Sequence, residues 1–319
     1  MPSLEQSESS ERSAIQRSAI RRLDGGLRAV IAMECFGVGG RYLFGSFETE
    51  SDIYGWLYFD CQWPEGLAQG IDTFGAILTL ATGLLLCLTG WAKRWQSSQS
   101  SWTGLVRNLD GPAAAWIAAW MLLLAMAHMM RAAVYAEISL AEHAVRYVAP
   151  VALLLLGRGL VPDVAAERRS TPSKLAIRLL LVATSATFAA HGYKAMEHYG
   201  PFTDLILLSD LQWPQWNLTQ ETAERLLTTI GVVDLVVAFL LLASQSRAVA
   251  LYMAAWGFMT AASRITALGV DAWPETVVRI ANGGVPLVIA VYWLTLQKRP
   301  PPTTAPANLT SELLGDDVE

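Results

Sequence analysis

Four arginines occupy matching positions in the two halves of the chain. Arg131 and Arg146 are 15 residues apart, as are Arg264 and Arg279, and each second arginine follows a glutamate by four positions. A guanidinium group presents a planar fork of N–H donors that suits a carboxylate, a phosphate, a sulfur oxyanion or a quinone oxygen. These four residues are therefore candidates for ligand binding.

A carboxylate and two histidines add candidate groups for proton transfer. Asp234 lies in the apolar stretch "TTIGVVDLVVAFLLL" with no basic residue three or four positions away, so it is protonated, paired across helices or facing water. His191 and Lys194 share one helix face, as do His128 and Arg131. We predict catalytic roles for Asp234, His191 and Lys194, and a ligand-binding role for His128.

No metal or nucleic-acid site is expected. The sequence lacks the His-x-x-x-His and Glu-x-x-His patterns of haem, di-iron and zinc sites, and Cys35, Cys61 and Cys87 form no Cys-x-x-Cys motif. The basic residues are divided between loops and apolar segments, which disfavours a nucleic-acid surface. No cofactor is certain from these patterns, and quinone is the candidate that the charged groups suit.

The composition indicates an integral membrane protein. Of the 319 residues 53% are apolar and only 16% are charged, and the mean hydropathy is +0.35. Eight runs are long enough to cross a hydrocarbon core of about 30 Å. They are 28–44, 70–90, 112–135, 143–161, 175–196, 223–243, 248–269 and 276–297. The first run lacks a small-residue cleavage pattern and is expected to be retained.

Charge alternates between the segments that connect these runs. Lys and Arg occur in the N-terminal arm, in the second, fourth and sixth connections and in the tail. The alternate connections hold acids but no Lys or Arg: 45–69, 136–142, 197–222 and 270–275. This positive-inside pattern predicts a multi-pass protein of the plasma (inner) membrane with both termini in the cytoplasm.

Repeated strings indicate an internal duplication. "DCQWP" at 60–64 recurs as "DLQWP" at 210–214, and "EHAVR" at 142–146 recurs as "ETVVR" at 275–279. We predict an all-α fold of two parallel four-helix units related by an axis along the membrane normal. The units are 28–161 and 175–297, joined by a basic linker at 162–174. A disordered or amphipathic arm at 1–27 precedes them, and a disordered tail at 298–319 follows.

Two structural interpretations compete with chemistry at these motifs. The arginines could extend outward to lipid phosphates or pair with the glutamate one turn earlier, instead of facing the bundle interior. The Trp-Pro strings favour packing at the outer membrane interface, where Trp is enriched and Pro prevents continued helix.

The end of the fifth run and the sixth run resemble the DoxX-like superfamily of four-helix membrane proteins. The residues that carry the resemblance are Gly192, Lys194, Pro201 with Phe202, and Gly231 with Asp234 in "HGYKAMEHYGPF" and "GVVDLVVAFLLL". In the first unit the acid position falls on Leu78, and no lysine matches Lys194. Some members of the superfamily are subunits of thiosulfate:quinone oxidoreductases, and others support redox proteins. The resemblance thus implies an outward-facing basic site for an anion or a quinone.

Three functional hypotheses follow. In the first, the protein binds a quinone headgroup or sulfur anion in an outer-leaflet basic pocket, as a membrane subunit of a quinone-linked oxidoreductase. In the second it is a non-catalytic accessory or assembly subunit of a larger redox complex. In the third it is a small-solute transporter, although Gly-Pro interruptions do not fall at corresponding sites of the two units. The expected surroundings are the lipid bilayer and membrane redox subunits, and the sequence does not specify an oligomeric state.

Overall fold

The described part of the chain is helical throughout. The computed structural model describes residues 4–44, 51–95, 101–132, 134–159 and 166–297, and these contain no β-strand. The helices are α1 (Leu4–Phe44), α2 (Asp52–Gly55), α3 (Glu65–Trp95), α4 (Ser101–Arg131), α5 (Ser139–Glu142), α6 (Ala144–Gly159), α7 (Ala166–Met196), α8 (Gly200–Gln212), α9 (Gln220–Ser244), α10 (Arg247–Leu268), α11 (Trp273–Val277) and α12 (Ile280–Leu296). A π-helical turn, Trp56–Asp60, continues α2, and 3-10 turns precede α5 and α11.

Several helices are long and apolar enough to cross a membrane. Four helical segments meet this criterion: Glu65–Ala92, Leu109–Arg131, Pro172–Met196 and Gln220–Ser244. Two further spans are obtained if each of two bent helix pairs is taken as one, Ala136–Glu142 with Ala144–Gly157 and Val270–Val277 with Ile280–Leu296. The predicted spans 28–44 and 248–269 lie on α1 and α10, which do not meet it. The structure therefore gives four to six candidate spans among the described residues.

The N-terminal arm is not a separate segment. From Leu4 onward it is continuous with the predicted first span in one 41-residue helix, α1. Ala19, Leu23, Leu27 and Ile31 recur at four-residue intervals and are fully buried. This spacing places them on one helix face, which packs into the core. Where a disordered or amphipathic arm is predicted, the described residues from Leu4 onward form a helix with a single apolar stripe.

The predicted linker and tail are only partly described. Residues 166–174 of the linker form the beginning of α7. The rest of the linker, and the tail from residue 298, lie outside the described residues.

Two pairs of helical segments are bent close to the predicted beginnings of the fourth and eighth apolar runs. The α5–α6 pair bends by 42° and the stretch from Val270 to α12 by 50°. Arg146 lies just after the first bend, and Arg279 is the residue that caps α12 at the second. In addition, α4 ends at Arg131, before the predicted limit of 135. The bends place the two arginines at helix starts rather than a full turn inside regular helices.

The helices of the two predicted units contact one another in an exchanged pattern. Within the first unit α1 packs on α3 and α4 on α6, and within the second unit α7 packs on α9 and α10 on α12. Between the units α1 packs on α12 and α6 packs on α7. In this pattern α1, α3, α4 and α6 of the first unit correspond, in that order, to α7, α9, α10 and α12 of the second. Each of these contacts therefore has an equivalent contact between the corresponding helices. The four helices at the boundary are α1, α6, α7 and α12.

Glycines bring α7 and α9 together. A Cβ atom added at Gly231 would lie 2.6 Å from the carbonyl oxygen of Gly192, and one added at Gly192 would lie 2.9 Å from that of Gly231. Small residues at facing positions allow such backbone contact between membrane helices. The close approach explains why two residues of the DoxX-like pattern are glycines here, and it brings Asp234 of α9 close to α7.

A buried arginine connects α1, α3 and α4 at the other end of the bundle. Arg28 Nε donates to Asp24 at 2.9 Å, and its Nη1 donates to Thr89 of α3 at 2.8 Å. The Nη1 and Nη2 groups also donate to the carboxylate of Asp110 on α4, at 3.1 and 2.8 Å. Gly90 leaves room for this side chain, because a Cβ there would lie 2.9 Å from Arg28 Cδ.

Candidate functional site

An apolar cavity of about 450 Å³ lies within the second unit. Its walls are formed by α7, α8, α9, α10 and the start of α12, together with the loop after α8. Aromatic and aliphatic side chains make up most of the wall: Phe188, Phe202, Leu205, Ile206, Trp213, Leu227, Ile230, Trp256 and Met259. The size and the lining are typical of a small-molecule site with a few convergent polar groups.

Four of the predicted site residues line this apolar cavity: Asp234, His191, Arg264 and Arg279. Asp234 is 4% exposed, and its Oδ1 has no hydrogen-bond partner among the described residues. The indole of Trp256 lies close enough to interact with this carboxyl group, yet its Nε1 makes no aligned hydrogen bond within the described part of the chain. A buried acid beside an apolar cavity with an unsatisfied oxygen is suited to accept a proton or a hydrogen bond from a ligand.

The orientation of His191 is fixed from two sides. Its Nδ1 lies 2.9 Å from the carbonyl oxygen of Thr187, which can only accept, so Nδ1 carries the proton. Its ring stacks on Phe202 with the centroids 5.9 Å apart. The other nitrogen, Nε2, lies 3.6 Å from Glu142 Oε1. Since one side of the residue lines the cavity, His191 connects the cavity to a carboxylate behind it.

The two arginines of the second unit keep donors available at this cavity. Arg264 Nη1 donates to the carbonyl of Thr260 at 2.6 Å, and Arg279 Nη1 donates to Glu275 Oε2 at 2.5 Å. Within the described residues, Arg264 and Arg279 each donate hydrogen bonds through Nη1 and not through their other nitrogens. A guanidinium has five N–H donors, so each arginine retains several for a ligand. The structure therefore places this pair toward the protein interior.

The second copy of the repeated Trp-Pro string forms part of the cavity wall. Asp210 is buried, and its carboxylate accepts the backbone N–H groups of Trp216 at 2.8 Å and Leu218 at 2.9 Å. These bonds hold the loop that carries Trp213 and Pro214 over the cavity, with a cis peptide bond between the two. In the first copy Asp60 is half exposed and lies 3.8 Å from Arg131 Nε instead. The motif is thus structural in the second unit, and the two copies differ.

Lys194 lines neither the apolar cavity nor the polar cavity described below. Its ammonium group lies 2.5 Å from Glu142 Oε2 and 4.9 Å from the centroid of the Tyr199 ring, and the side chain is 3% exposed. Glu142 therefore pairs with Lys194, and not with Arg146 one turn later as the local-pairing interpretation has it. The lysine predicted to be catalytic is engaged in a contact between α5 and α7.

A second, polar cavity of about 290 Å³ lies within the first unit and also borders Arg279. It includes two more predicted site residues, His128 and Arg146. Its other charged residues are Arg41, Asp52, Asp72 and Glu275. The cavity occupies the position in the first unit that the apolar cavity occupies in the second. Arg279 belongs to both walls.

His128 is bonded to an acid of this polar cavity. Its Nδ1 lies 3.1 Å from Asp52 Oδ2, and its ring contacts that of His143. Burial raises the pKa of Asp52, but the hydrogen bond from His128 and the charges of His128, Arg41 and Arg131 outweigh it, so the pKa lies below its ordinary value. Asp52 is thus an anion at neutral pH.

Arg131 lies outside both cavities. Its guanidinium is 3.8 Å from both Asp52 and Asp60 and packs over the Phe59 ring at 5.9 Å. It covers Gly55, where a Cβ would lie 2.2 Å from Arg131 Cζ. Arg131 therefore holds the segment α2 against α4 rather than joining the other three arginines.

Sequence reasoning did not assign a role to several residues of these sites. Glu34 is completely buried, its carboxylate oxygens have no hydrogen-bond partner among the described residues, and Arg146 Nε lies 3.7 Å away. Arg41 occupies in the first unit the place that Lys194 has in the second, since each lies beside the hairpin glutamate of the other unit. The loose alignment of the strings "FGVGGRYLFG" and "FAAHGYKAMEHYG" is the only signal for this pair.

Comparison of the chain with known proteins found no match. No family model, curated protein or solved structure matches it. The resemblance to DoxX-like proteins therefore stays a prediction. Among the described residues no group of three or more His, Cys, Asp or Glu side chains is arranged to hold a metal ion.

Proposed function

We propose that the protein binds a small redox-related ligand, a quinone headgroup or a sulfur anion, in the apolar cavity of its second unit. One observation carries this proposal: Asp234, His191, Arg264 and Arg279 converge on a cavity of about 450 Å³ that is otherwise apolar. Such a cavity suits a ligand with a ring or apolar body and one or two electron-rich oxygens.

Each polar group has a role that its surroundings support. Arg264 and Arg279 donate hydrogen bonds to ligand oxygens, since both retain donors beyond Nη1. Asp234 accepts a proton or hydrogen bond through its unsatisfied oxygen. His191 accepts a proton at Nε2, and the Glu142 carboxylate, 3.6 Å behind it, stabilises the positive charge on the ring. Lys194 acts indirectly, because its contact with Glu142 positions that carboxylate.

The proposal includes the topology and the family. All eight apolar segments cross the plasma membrane, both termini are cytoplasmic, and α8 and both cavities lie toward the outer leaflet. The alternation of basic and acidic connections supports this orientation. The exchanged helix contacts support two parallel units, and the glycine contact between α7 and α9 supports a DoxX-like second unit.

A titration of the purified protein tests the binding proposal. Trp213, Trp216 and Trp256 line the cavity, so quenching of tryptophan fluorescence reports binding of a short-chain quinone, and calorimetry reports binding of thiosulfate. We expect the double variant Arg264→Gln with Arg279→Gln to weaken binding by roughly tenfold or more, since hydrogen bonds to charged groups contribute about 1.5–3 kcal/mol each. Asp234→Asn should weaken quinone binding without removing it.

A matched control uses an arginine remote from the cavity. Arg225 lies on the exposed surface of α9 and pairs only locally with Glu221, so Arg225→Gln should leave the affinity unchanged. If the double variant at Arg264 and Arg279 binds both probes as well as the native chain does, the proposed site is wrong.

Exposed indoles favour a second candidate function, that of an accessory subunit. Trp213 is 80% exposed and Trp216 73% exposed, on a loop whose backbone is held by Asp210. These side chains lie either among lipid headgroups or against a partner. Gentle solubilisation of native membranes separates the two: co-migration with a larger complex that Trp213→Ser and Trp216→Ser abolish supports the accessory role, and recovery as a free protein contradicts it.

A further inference from the structure

The polar cavity of the first unit is the structural counterpart of the apolar cavity. Its walls come from α1, α2, α3, α4 and the start of α6, with Glu275, Val278 and Arg279 of the second unit. Of these elements α1, α3, α4 and α6 exchange with α7, α9, α10 and α12, which line the apolar cavity. The position is shared, but the chemistry of the walls is not. Charged side chains replace most of the aromatic ones, so the ligand that suits one cavity does not suit the other.

A basic wall is formed by Arg146 and Arg279. Arg279 is held by Glu275 at 2.5 Å. The nearest acid of Arg146 is Glu34, with 3.7 Å between Nε and Oε1, and Arg146 Nε makes no hydrogen bond among the described residues. Arg146 lines the cavity, and its Nη groups also make no hydrogen bond among the described residues, so they can bind an anion there. An anion between the two arginines would offset their mutual repulsion.

An acidic wall is formed by Asp52 and Asp72. Asp52 is already engaged with His128 at 3.1 Å and Arg131 at 3.8 Å. Asp72 accepts a hydrogen bond from the Ser51 hydroxyl at 2.6 Å, and no basic group lies within 4.0 Å of it in the described part of the chain. Asp72 is thus the acid of the cavity that is available to a cation.

We infer that the polar cavity binds a small zwitterion, with the carboxylate of the ligand on Arg146 and its ammonium group on Asp72. Three arginines and three carboxylates line the cavity, so its formal charge is balanced and favours a ligand without net charge. A volume of about 290 Å³ would hold roughly ten water molecules at about 30 Å³ each, which suits a molecule of the size of an amino acid. This site shares Arg279 with the apolar cavity, but the inference does not require the function proposed for that cavity.

The test titrates the purified full-length chain with glycine, 4-aminobutyrate and 6-aminohexanoate, which separate the two charges by different lengths. Butyrate and butylamine serve as probes that carry only one of them. We expect one of the zwitterions to bind saturably by calorimetry and to raise the unfolding midpoint more than either single-charge probe does. The inference is overturned if no zwitterion binds, or if butyrate binds as tightly as the best of them.

Variants assign the binding to this cavity. Asp72→Asn should weaken zwitterion binding about tenfold and remove the preference over butyrate, because a charge-assisted hydrogen bond is lost. Arg146→Gln should remove zwitterion binding. If Arg146→Gln does not fold, the affinity of Asp72→Asn still tests the inference. Asp234→Asn, in the other cavity, should change nothing. Loss of binding in Asp234→Asn but not in Asp72→Asn would contradict the inference, while leaving the ligand of the apolar cavity a separate question.

Discussion

Lys194 Nζ lies 2.5 Å from Glu142 Oε2, across the boundary between the two four-helix units. The same relationship recurs with the units exchanged, where Arg41 Nε lies 3.0 Å from Glu275 Oε1. In both cases a cation near the end of the first helix of one unit contacts the hairpin glutamate of the other. The two pairs differ in burial, which leads to different expectations for their removal.

We expect Lys194→Gln to destabilise the protein much more than Arg41→Gln. The Lys194 side chain is 3% exposed. Without it, the partner of Glu142 among the described residues is His191 at 3.6 Å, so Lys194→Gln should lower the stability by up to about 3–5 kcal/mol. The Arg41 side chain is 35% exposed, and Glu275 keeps Arg279 at 2.5 Å, so its loss should cost about 0–1 kcal/mol. Unfolding midpoints in detergent measure both.

A double variant tests whether the destabilisation comes from leaving the buried charge of Glu142 unpaired or from losing the packing of the Lys194 side chain. Lys194→Gln combined with Glu142→Gln should be less destabilised than Lys194→Gln alone, because no buried carboxylate is left unpaired. The interpretation fails if Lys194→Gln is no more destabilising than Arg225→Gln at an exposed surface pair.

Arg28 should be among the most sensitive positions of α1. It is 4% exposed and donates to Asp24, Thr89 and Asp110. Arg28→Gln removes a buried cation that pairs with two carboxylates, which should cost about 3–5 kcal/mol. Arg21→Gln on the exposed side of the same helix should stay within about 0.5 kcal/mol of the native chain. Equal unfolding midpoints for the two variants would contradict the role of Arg28 in holding α1, α3 and α4 together.

The stability contributed by Asp52 should be lost in acid. Its pKa in the folded protein lies below the ordinary value because of His128, Arg41 and Arg131, although burial opposes the shift. The contribution is therefore complete above the unfolded pKa of about 3.9 and declines as the pH falls through the folded value. The difference in unfolding midpoint between the native chain and Asp52→Asn should accordingly be present at pH 7 and shrink below about pH 4. His128→Gln should reproduce part of it at neutral pH. A difference that stays constant down to pH 3 would show that Asp52 acts through packing alone.

Gly231→Ala should force α7 and α9 apart. The added Cβ would lie 2.6 Å from the Gly192 carbonyl oxygen and 2.9 Å from the Met196 backbone nitrogen, and backbone atoms cannot move aside as a flexible side chain can. We expect a loss of about 1–3 kcal/mol in stability and weaker ligand binding at Asp234, one turn along α9. Gly70→Ala is the matched control, since nothing lies within 4 Å of its Cβ, and it should be neutral or stabilising by about 0.5–1 kcal/mol. Equal effects of the two substitutions would argue against the close contact.

The helical class and the apolar segments could be predicted because hydropathy and run length depend on local composition. The sequence did not reveal that α1 begins at Leu4, because its buried stripe at Ala19, Leu23 and Leu27 is embedded among charged residues that face outward. The bends before Arg146 and Arg279 depend on how each hairpin packs against its neighbours. The hydrophobic periodicity of each hairpin sequence does not specify these packing contacts, so it could not predict the bends.

The sequence predicted which residue types contribute to the candidate site better than it predicted which of those residues lie together. Asp234, His191, Arg264 and Arg279 do converge on one cavity, and an acid in an apolar run or a repeated arginine is visible in sequence. The fixed spacing between arginines predicted four equivalent members, yet Arg131 packs over Gly55 and Arg146 borders the other cavity. Which side of a helix faces a neighbour depends on α2, α5 and α8, and elements of this length are not visible in the hydropathy of long apolar runs.

The exchanged contacts across the boundary have a consequence for either half on its own. A chain made of only one unit would leave its hairpin glutamate, its first-helix cation and the faces of its first and last helices without partners. Two copies of such a chain, related by a two-fold rotation, would satisfy all of them at once, because each copy would supply what the other lacks. The chain thus has the helix contacts of a symmetric dimer whose two subunits are joined covalently, and its two cavities carry different chemistry at corresponding helices.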